Sequence, residues 1–473
     1  MKYFILLILS FSPLLSNGWI DTTFNFELES DITYSIETDF AGAERQLLLD
    51  IRTPLGDDPP NCGRPLAVVV HGGAWLAGSK DDPNIKRMSQ DFAKRGYVTT
   101  NINYRLGMFH TEKNIHCNVE GWDCFNVTDS AEWYRAYYRA LQDVNTAVRY
   151  MITNAEKYNI DPNNVFLIGE SAGAYTVIGT GYIDSESEVI TEYIQELSNA
   201  PSPNSIYESP CIQELGIAES IESMNLERPA LGDYRGSQYL ESSLEYDIKA
   251  VGGFYGGVFN NIFTNNDASK PALYMFHQPN DLIVPMNYNK ILQGFASCAR
   301  GFPLNCQDII SRLHTWGSGG VNEMLDSISD ISLNNIDYRF KKSNNNAPCI
   351  EQVTNPSTSG HSFDNFWLRT NELAEFFATK IEDCKDETNV EGNQNTSELE
   401  IYPNPVINLS NTTIKSISGM LELTNLFGEI ILSKYTNGQL QLSNYEMRLQ
   451  SGVYFIRVIG SKQVQSGKII VRN

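Results

Sequence analysis

Residues 165–173 read VFLIGESAG, four apolar residues followed by a glycine-framed serine. An apolar run without alternation is the pattern of a short strand buried on both faces. Gly169-Glu170-Ser171-Ala172-Gly173 is a G-x-S-x-G pentapeptide, and it falls between this strand and a predicted helix. A sharp turn there lifts the serine hydroxyl clear of the sheet. Small neighbours such as Gly173 let the helix pack close while the serine backbone is held under strain. The pentapeptide alone is a weak signal; its strand-to-helix placement makes it specific.

Working outward, residues 65–73 (PLAVVVHGG) form a second apolar run that ends in glycines, as a buried parallel strand does. A helix is predicted over residues 84–96, a strand over Tyr97–Tyr104, and a long helix over Ala131–Tyr158, with Tyr134, Tyr138, Leu141, Val148 and Ile152 at helical spacing. Asp161-Pro162 is read as a turn into the strand that precedes Ser171. Further strands are expected at Ile248–Gly253, Ala272–His277 and Ala347–Val353, with a closing helix from about Ser362 to Ile381. The segment before residue 60 has the look of antiparallel edge strands. Strands alternating with helices predict an α/β fold, a mostly parallel sheet with helices on both faces. Residues 183–246 and 300–346 are longer than such connections need, and are read as insertions that wall a pocket or pad the surface.

The chain has 473 residues, with 35 Lys plus Arg against 57 Asp plus Glu and a net charge of −22. So acidic a surface repels phosphate backbones and anionic lipid, which argues against nucleic acid and membrane surfaces as partners. Lys2 followed by the apolar run Phe4–Leu15 predicts a secretory signal over residues 1–18, cut after Gly18. No later stretch reads as a transmembrane segment. In an exported chain, the eight cysteines (Cys62, Cys117, Cys124, Cys211, Cys298, Cys306, Cys349 and Cys384) favour disulfides. Cys117 with Cys124 and Cys298 with Cys306 are the expected short loops. A zinc site from His110, His116, Cys117, Asp123 and Cys124 is the alternative at the first of them, although the spacing fits no ligand pattern.

His71-Gly72-Gly73-Ala74-Trp75, at the end of the strand Val68–Val70, resembles the H-G-G-G oxyanion loops of the α/β-hydrolases. That resemblance implies backbone donors at Gly73 and Ala74, joined by Ala172 after the nucleophile, for the charge that develops on an ester carbonyl. Ala74 stands where many members carry glycine; its N–H is unchanged. His71 is read as a structural hydrogen-bonder beneath the loop. The hydrolase order places an acid and then a histidine after the serine. Residues 276–285 (FHQPNDLIVP) resemble the H-G-x-x-D-x-x-V-P segment and make Asp281 the orienting acid. His314 and His361 both qualify on order. His361 is favoured, because it lies between a predicted last strand and the closing helix, whereas His314 lies in an insertion. The resemblance thus implies a Ser171, His361, Asp281 triad acting through an acyl-serine, with no metal or organic cofactor.

Beyond Cys384 the polar stretch at residues 383–398 reads as a linker and residues 399–473 as a β-rich module, with Leu421–Leu423, Ile430–Leu432 and Val453–Ile459 as strands and a turn at Asn437-Gly438. Tyr402-Pro403-Asn404-Pro405, Gly452-Val453-Tyr454-Phe455-Ile456-Arg457 and Lys468-Ile469-Ile470-Val471 resemble the C-terminal sorting domains of type IX secretion. The resemblance implies a small immunoglobulin-like sandwich, engagement of that secretion machinery, and a secreted or cell-surface destination. A carbohydrate-binding β-sandwich is the competing reading, against which stands the lack of a tryptophan cluster.

Residues 19–382 are thus read as the hydrolase domain. Asn103-Tyr104-Arg105-Leu106-Gly107 with the serine pentapeptide is similar to type B carboxylesterases. HGGAW followed by Gly78-Ser79-Lys80 is similar to exported feruloyl or acetylxylan esterases. An ester hydrolase acting on small acyl esters or on esterified plant or algal polysaccharides is the function implied. A catalytically silent cell-surface binding protein, or an exported peptidase or amidase of the same fold, are the alternatives.

Overall fold

The computed structural model describes residues 18–56, 59–109, 111, 129–201, 225–241, 243–263, 270–299, 312–329, 336–382, 399–402, 404, 406, 412–425, 430–442, 449–459 and 464–472. The expected signal segment up to residue 17, the linker 383–398, and the Cys117–Cys124 loop with its alternative zinc cluster lie outside the described residues. The chain divides into two compact units, Met1–Cys384 and Lys385–Asn473.

In the first unit the strands run β1 Asn25–Thr38, β2 Glu44–Leu55, β3 Arg64–Val70, β4 Val98–Ile102, β5 Ile160–Glu170, β6 Ile248–Phe254, β7 Gly257–Val258, β8 Ala272–His277, β9 Tyr288–Lys290, β10 His314–Gly317 and β11 Tyr338–Lys342. Eight of them form one sheet in the order β1-β2-β4-β3-β5-β6-β8-β11, while β7, β10 and β9 make a separate small sheet. β1 and β2 are antiparallel edge strands, and from β4 to β11 every pairing is parallel.

The central strands are apolar throughout because each buries both faces. Leu66, Val68 and Val70 of β3 point into one core and Ala67 and Val69 into the other; Leu167 against Phe166 and Ile168 repeats the division on β5. Helices α2 (Ser130–Thr153) and α3 (Ala172–Tyr182) cover the first face. Helices α1 (Pro83–Lys94) and α7 (Phe366–Ala378) cover the second through Ile85, Met88, Phe92, Leu373 and Phe377. Asp129 starts α2 by accepting from Glu132 N at 3.0 Å, and Asn365 starts α7 by accepting from Leu368 N at 3.1 Å. Among the described residues no helix is long and apolar enough to cross a membrane.

Four local expectations for the first unit are corrected. The stretch expected as the last strand, Ala347–Val353, is instead helix α6, Cys349–Thr354, with Ile350 and Val353 exposed. The last strand is β11, whose sequence YRFKK lies at a sheet edge, so it needs no continuous apolar run. The region 300–346 therefore supplies β10, helix α5 (Ser318–Ser329) and a strand of the main sheet, and is not an insertion throughout. Asp161-Pro162 lies within β5, in a bulge where the pairing slips between Arg64↔Ile160 and Leu66↔Val165. Cys298, on helix α4 (Gln293–Ala299), bonds to Cys349 at the start of α6 and not to Cys306. Chain proximity favoured the nine-residue loop, but packing brings the two helices together with Cα atoms 5.8 Å apart. Cys62 is also disulfide-bonded.

The second unit is antiparallel: β12 Glu400–Tyr402, β13 Thr413–Thr424, β14 Ile430–Gln441, β15 Gly452–Ile459 and β16 Val464–Val471. Leu421, Leu423, Ile456, Val458 and Ile469 form its core. Asn437-Gly438 is not the expected turn. It runs inside β14, where Gly438 has φ +105° opposite an irregularity between Lys415 and Ser418 of β13.

Candidate active site

β5 ends at Glu170 and α3 begins at Ala172, so the single residue between them, Ser171, makes the whole turn. Its φ of 52° and ψ of −121° are strained for a residue with a side chain. Two glycines make the strain tenable. A Cβ on Gly169 would lie 2.3 Å from Gly173 O, and one on Gly173 would lie 2.3 Å from Val70 O. Ser171 N donates to Phe254 O at 2.9 Å, which ties the turn to β6.

The candidate acid lies on the loop after β8. Asp281 is buried, and its Oδ1 accepts from the backbone N–H groups of Ile283 (2.8 Å) and Val284 (3.0 Å). His361 stands on the loop between α6 and α7. Gly360 N donates to Gln352 Oε1 at 2.8 Å, and a Cβ on Gly360 would meet Asn280 and Asp281 backbone at 2.7 Å, so the two loops are in close contact. His361 Nδ1 lies 2.8 Å from Asp281 Oδ2, and its Nε2 lies 2.8 Å from Ser171 Oγ. The carboxylate accepts only, so Nδ1 carries a proton and Nε2 faces the serine hydroxyl as the acceptor. Burial works to raise the Asp281 carboxyl, but the His361 and His277 imidazoles beside it prevail and hold it below the usual carboxylate value. His314 does not join this chain. It is exposed on β10, with its ring stacked on Tyr288 at 4.9 Å.

The loop after β3 brings Gly72 against the serine, where an added Cβ would come within 3.0 Å of Ser171 Cβ. Gly73, Ala74 and Trp75 all have positive φ (104°, 56° and 58°), a backbone that side-chain-bearing residues rarely adopt. Among the described residues no hydrogen-bond acceptor engages the N–H groups of Gly73, Ala74 or Ala172. Beneath them, His71 is fully buried and its Nδ1 donates to Gly72 O at 2.7 Å. Burial pushes its imidazole down to about 4. Trp75 anchors the far end, its Nε1 donating to Thr176 Oγ1 at 3.1 Å.

A cleft of about 380 Å³ opens over Ser171, lined by Gly73, Ala74, Asp82, Glu170, Ile283 and His361. Among the described residues its walls come from these short loops. Among the described residues, neither long connection contributes a lining residue. The described part of the first connection lies along α2, where Tyr138, Gln142 and Arg149 donate to the carbonyl oxygens of Gly232, Leu231 and Gln238.

Sequence reasoning gave no role to Glu170, Tyr255 or His277. Burial raises the Glu170 carboxyl, Tyr255 donates its hydroxyl to Glu170 Oε2 at 2.6 Å, and the Tyr255 ring meets His361 edge-on at 4.9 Å. Glu170 occupies a variable position of the pentapeptide, and Tyr255 follows a strand with no motif, so no single-sequence signal marks either.

A strand-to-helix serine, an acid after a later strand and a histidine on the last loop, set on such a sheet, define the α/β-hydrolase class. The BD-FAE family matches residues 49–114 and 120–294, about half of the chain, and the chain belongs to that family of α/β-hydrolase esterases. The secretion system C-terminal sorting domain matches residues 400–472.

The bile salt-activated lipase of Rattus norvegicus is 28% identical over 199 residues, 41% of this chain and 29% of the lipase. Phenmedipham hydrolase of Pseudarthrobacter oxydans is 33% identical over 132 residues, 28% of this chain and 22% of that enzyme. The chain thus spans less than a third of the length of these curated relatives. Among solved structures, Thermogutta terrifontis esterase 2 aligns over 76% of this chain and 96% of its own, at 14% identity and a TM-score of 0.40. A truncated carbohydrate esterase from gut microbiota aligns over 76% and 98%, at 15% identity and a TM-score of 0.40.

Proposed function

We propose that the chain is an exported serine carboxylic ester hydrolase with Ser171 as nucleophile, His361 as general base and acid, and Asp281 as orienting acid. The observation that carries this reading is the unbroken chain Ser171 Oγ, His361 Nε2, His361 Nδ1, Asp281 Oδ2, with both links at 2.8 Å. His361 takes the serine proton as Oγ attacks the ester carbonyl. The tetrahedral oxyanion is stabilised by the N–H groups of Gly73, Ala74 and Ala172. His361 then protonates the departing alcohol and leaves an acyl-serine. Water, deprotonated by the same imidazole, attacks that ester; the collapsing intermediate releases the acid as His361 returns the proton to Ser171.

Esters on plant or algal polysaccharides, or small acyl esters, are the substrates we propose. The described walls of the cleft are short loops, which suit a bulky alcohol, and the Asp82 and Glu170 carboxylates beside Ser171 are suited to accept hydrogen bonds from sugar hydroxyls. The C-terminal module would carry the enzyme through type IX secretion to the cell surface or beyond. A fluorophosphonate probe should label the full chain at Ser171, and p-nitrophenyl esters of rising length beside acetylated and feruloylated xylan should rank the acyl groups. Absence of labelling in the folded protein would favour the catalytically silent reading, and cleavage of anilides over esters the peptidase reading.

A further inference from the structure

His277 closes β8 one turn before the acid and is fully buried. Its Nδ1 lies 3.4 Å from Ser318 N and 3.0 Å from Ser318 Oγ. A backbone N–H only donates, so Nδ1 must accept and the ring proton belongs on Nε2. That nitrogen faces two groups that only accept, Val284 O at 3.1 Å and Asp281 Oδ2 at 3.2 Å. The same Oδ2 receives His361 Nδ1 at 2.8 Å from the other side.

We propose that His277 is a positioning residue, an N–H donor through Nε2 with its ring oriented by Ser318, that shares the Asp281 carboxylate with His361. This rests on the triad reading above. Four donors then surround Asp281, two backbone N–H groups on Oδ1 and two imidazoles on Oδ2, which keeps a buried carboxylate ionised and fixes its direction. The charge felt by His361 is reduced by what His277 takes. Without His277, the charge on Oδ2 would act on the His361 imidazole alone. The titratable groups facing this pair are Asp281 from the β8 loop, Glu170 at the end of β5, Tyr255 after β6 and Tyr175 on α3. None of the last three hydrogen-bonds to Asp281 in place of His277.

The test compares the full chain with His277→Gln, whose amide N–H falls near the position of Nε2, and His277→Leu, which has no donor. With p-nitrophenyl acetate, kcat/KM is followed from about pH 5 to about pH 9. His277→Gln should stay within about threefold of the parent with its acid limb in place. His277→Leu should fall about tenfold at neutral pH, with the acid limb moved to higher pH so that the deficit narrows as pH rises. A deficit that is the same at every pH, no deficit, or a His277→Gln as impaired as His277→Leu would overturn the proposal.

If His277→Leu does not fold, histidine-selective 15N spectra of the unsubstituted chain decide. One ring should carry its proton on Nε2, distinct from His71, whose proton is on Nδ1. A His277 whose Nε2 carries no proton would refute the assignment. Failure of the triad reading itself would show separately, as absence of phosphonate labelling at Ser171.

Discussion

Tyr104 stacks its ring on the His71 imidazole at 4.2 Å and donates its hydroxyl to the carbonyl oxygens of His71 (3.0 Å) and Gly72 (3.1 Å). One side chain therefore braces the start of a loop in which three consecutive residues have positive φ. That conformation persists only where its surroundings impose it. Tyr104→Phe keeps the stack and removes the brace. It should lower kcat about tenfold with little change in KM, since the loop N–H groups proposed as oxyanion donors would act on the oxyanion more than on the ground state, and should destabilise the fold by about 1 kcal/mol. Steady-state kinetics and thermal melts on the same preparation check both.

Burial makes His71 a determinant of acid stability. Its folded value of about 4 lies below the ordinary 6.5, so between those values the unfolded chain binds a proton that the folded chain does not. The stabilisation is complete above pH 6.5 and is lost as pH falls towards 4. Melting temperature should drop through that window, and the slope should be shallower in His71→Asn, whose side chain does not titrate. Equal slopes in the two proteins would contradict this.

The Cys298–Cys349 bridge closes a separation of 51 residues and joins α4 to α6, the helix whose Gln352 holds Gly360 next to His361. Replacing both cysteines by serine should cost a few kcal/mol of stability. It should also weaken catalysis at temperatures well below the melt, as the His361 loop loses its tether. Denaturant titration and initial rates at 25 °C read the two effects separately.

All residues proposed for the chemistry lie in the first compact unit. A chain ending near Thr388 should hydrolyse p-nitrophenyl esters at the parent rate, while in the native host it should accumulate in the periplasm. Loss of activity in a folded truncation would contradict the modular reading.

The strands that frame the site were legible because burial on both faces leaves an unmistakable apolar run, as in VFLIG and PLAVVV. Glycines with a steric duty, Gly169 and Gly173, mark the turn between strand and helix. β11 was missed for the opposite reason: an edge strand needs one covered face, and YRFKK carries little apolar signal. Residues 347–353 misled because Ile350 and Val353 look like strand core but face solvent. The tautomer of His277 depends on Ser318, 41 residues away, and no local pattern encodes that contact.

His314 and His361 supply the sharpest test, because both follow the acid in the chain and either could complete a triad by order alone. Ser171→Ala or His361→Ala should lower kcat by several orders of magnitude with KM nearly unchanged, as in the proposed mechanism both groups act chiefly in the transition state. Asp281→Asn should cost somewhat less: it keeps the shape but offers His361 an amide where the imidazolium needs a carboxylate. It should also flatten the acid limb of stability, because a carboxyl held below its ordinary value stabilises the fold above that value and ceases to do so as pH falls through its folded one. His314→Ala should leave the rate within a few-fold, since that ring is exposed against Tyr288 on the small sheet. If His314→Ala abolished turnover in a folded protein while His361→Ala did not, the 2.8 Å contact between His361 and Ser171 would be irrelevant to the chemistry and the proposed mechanism would fall with it.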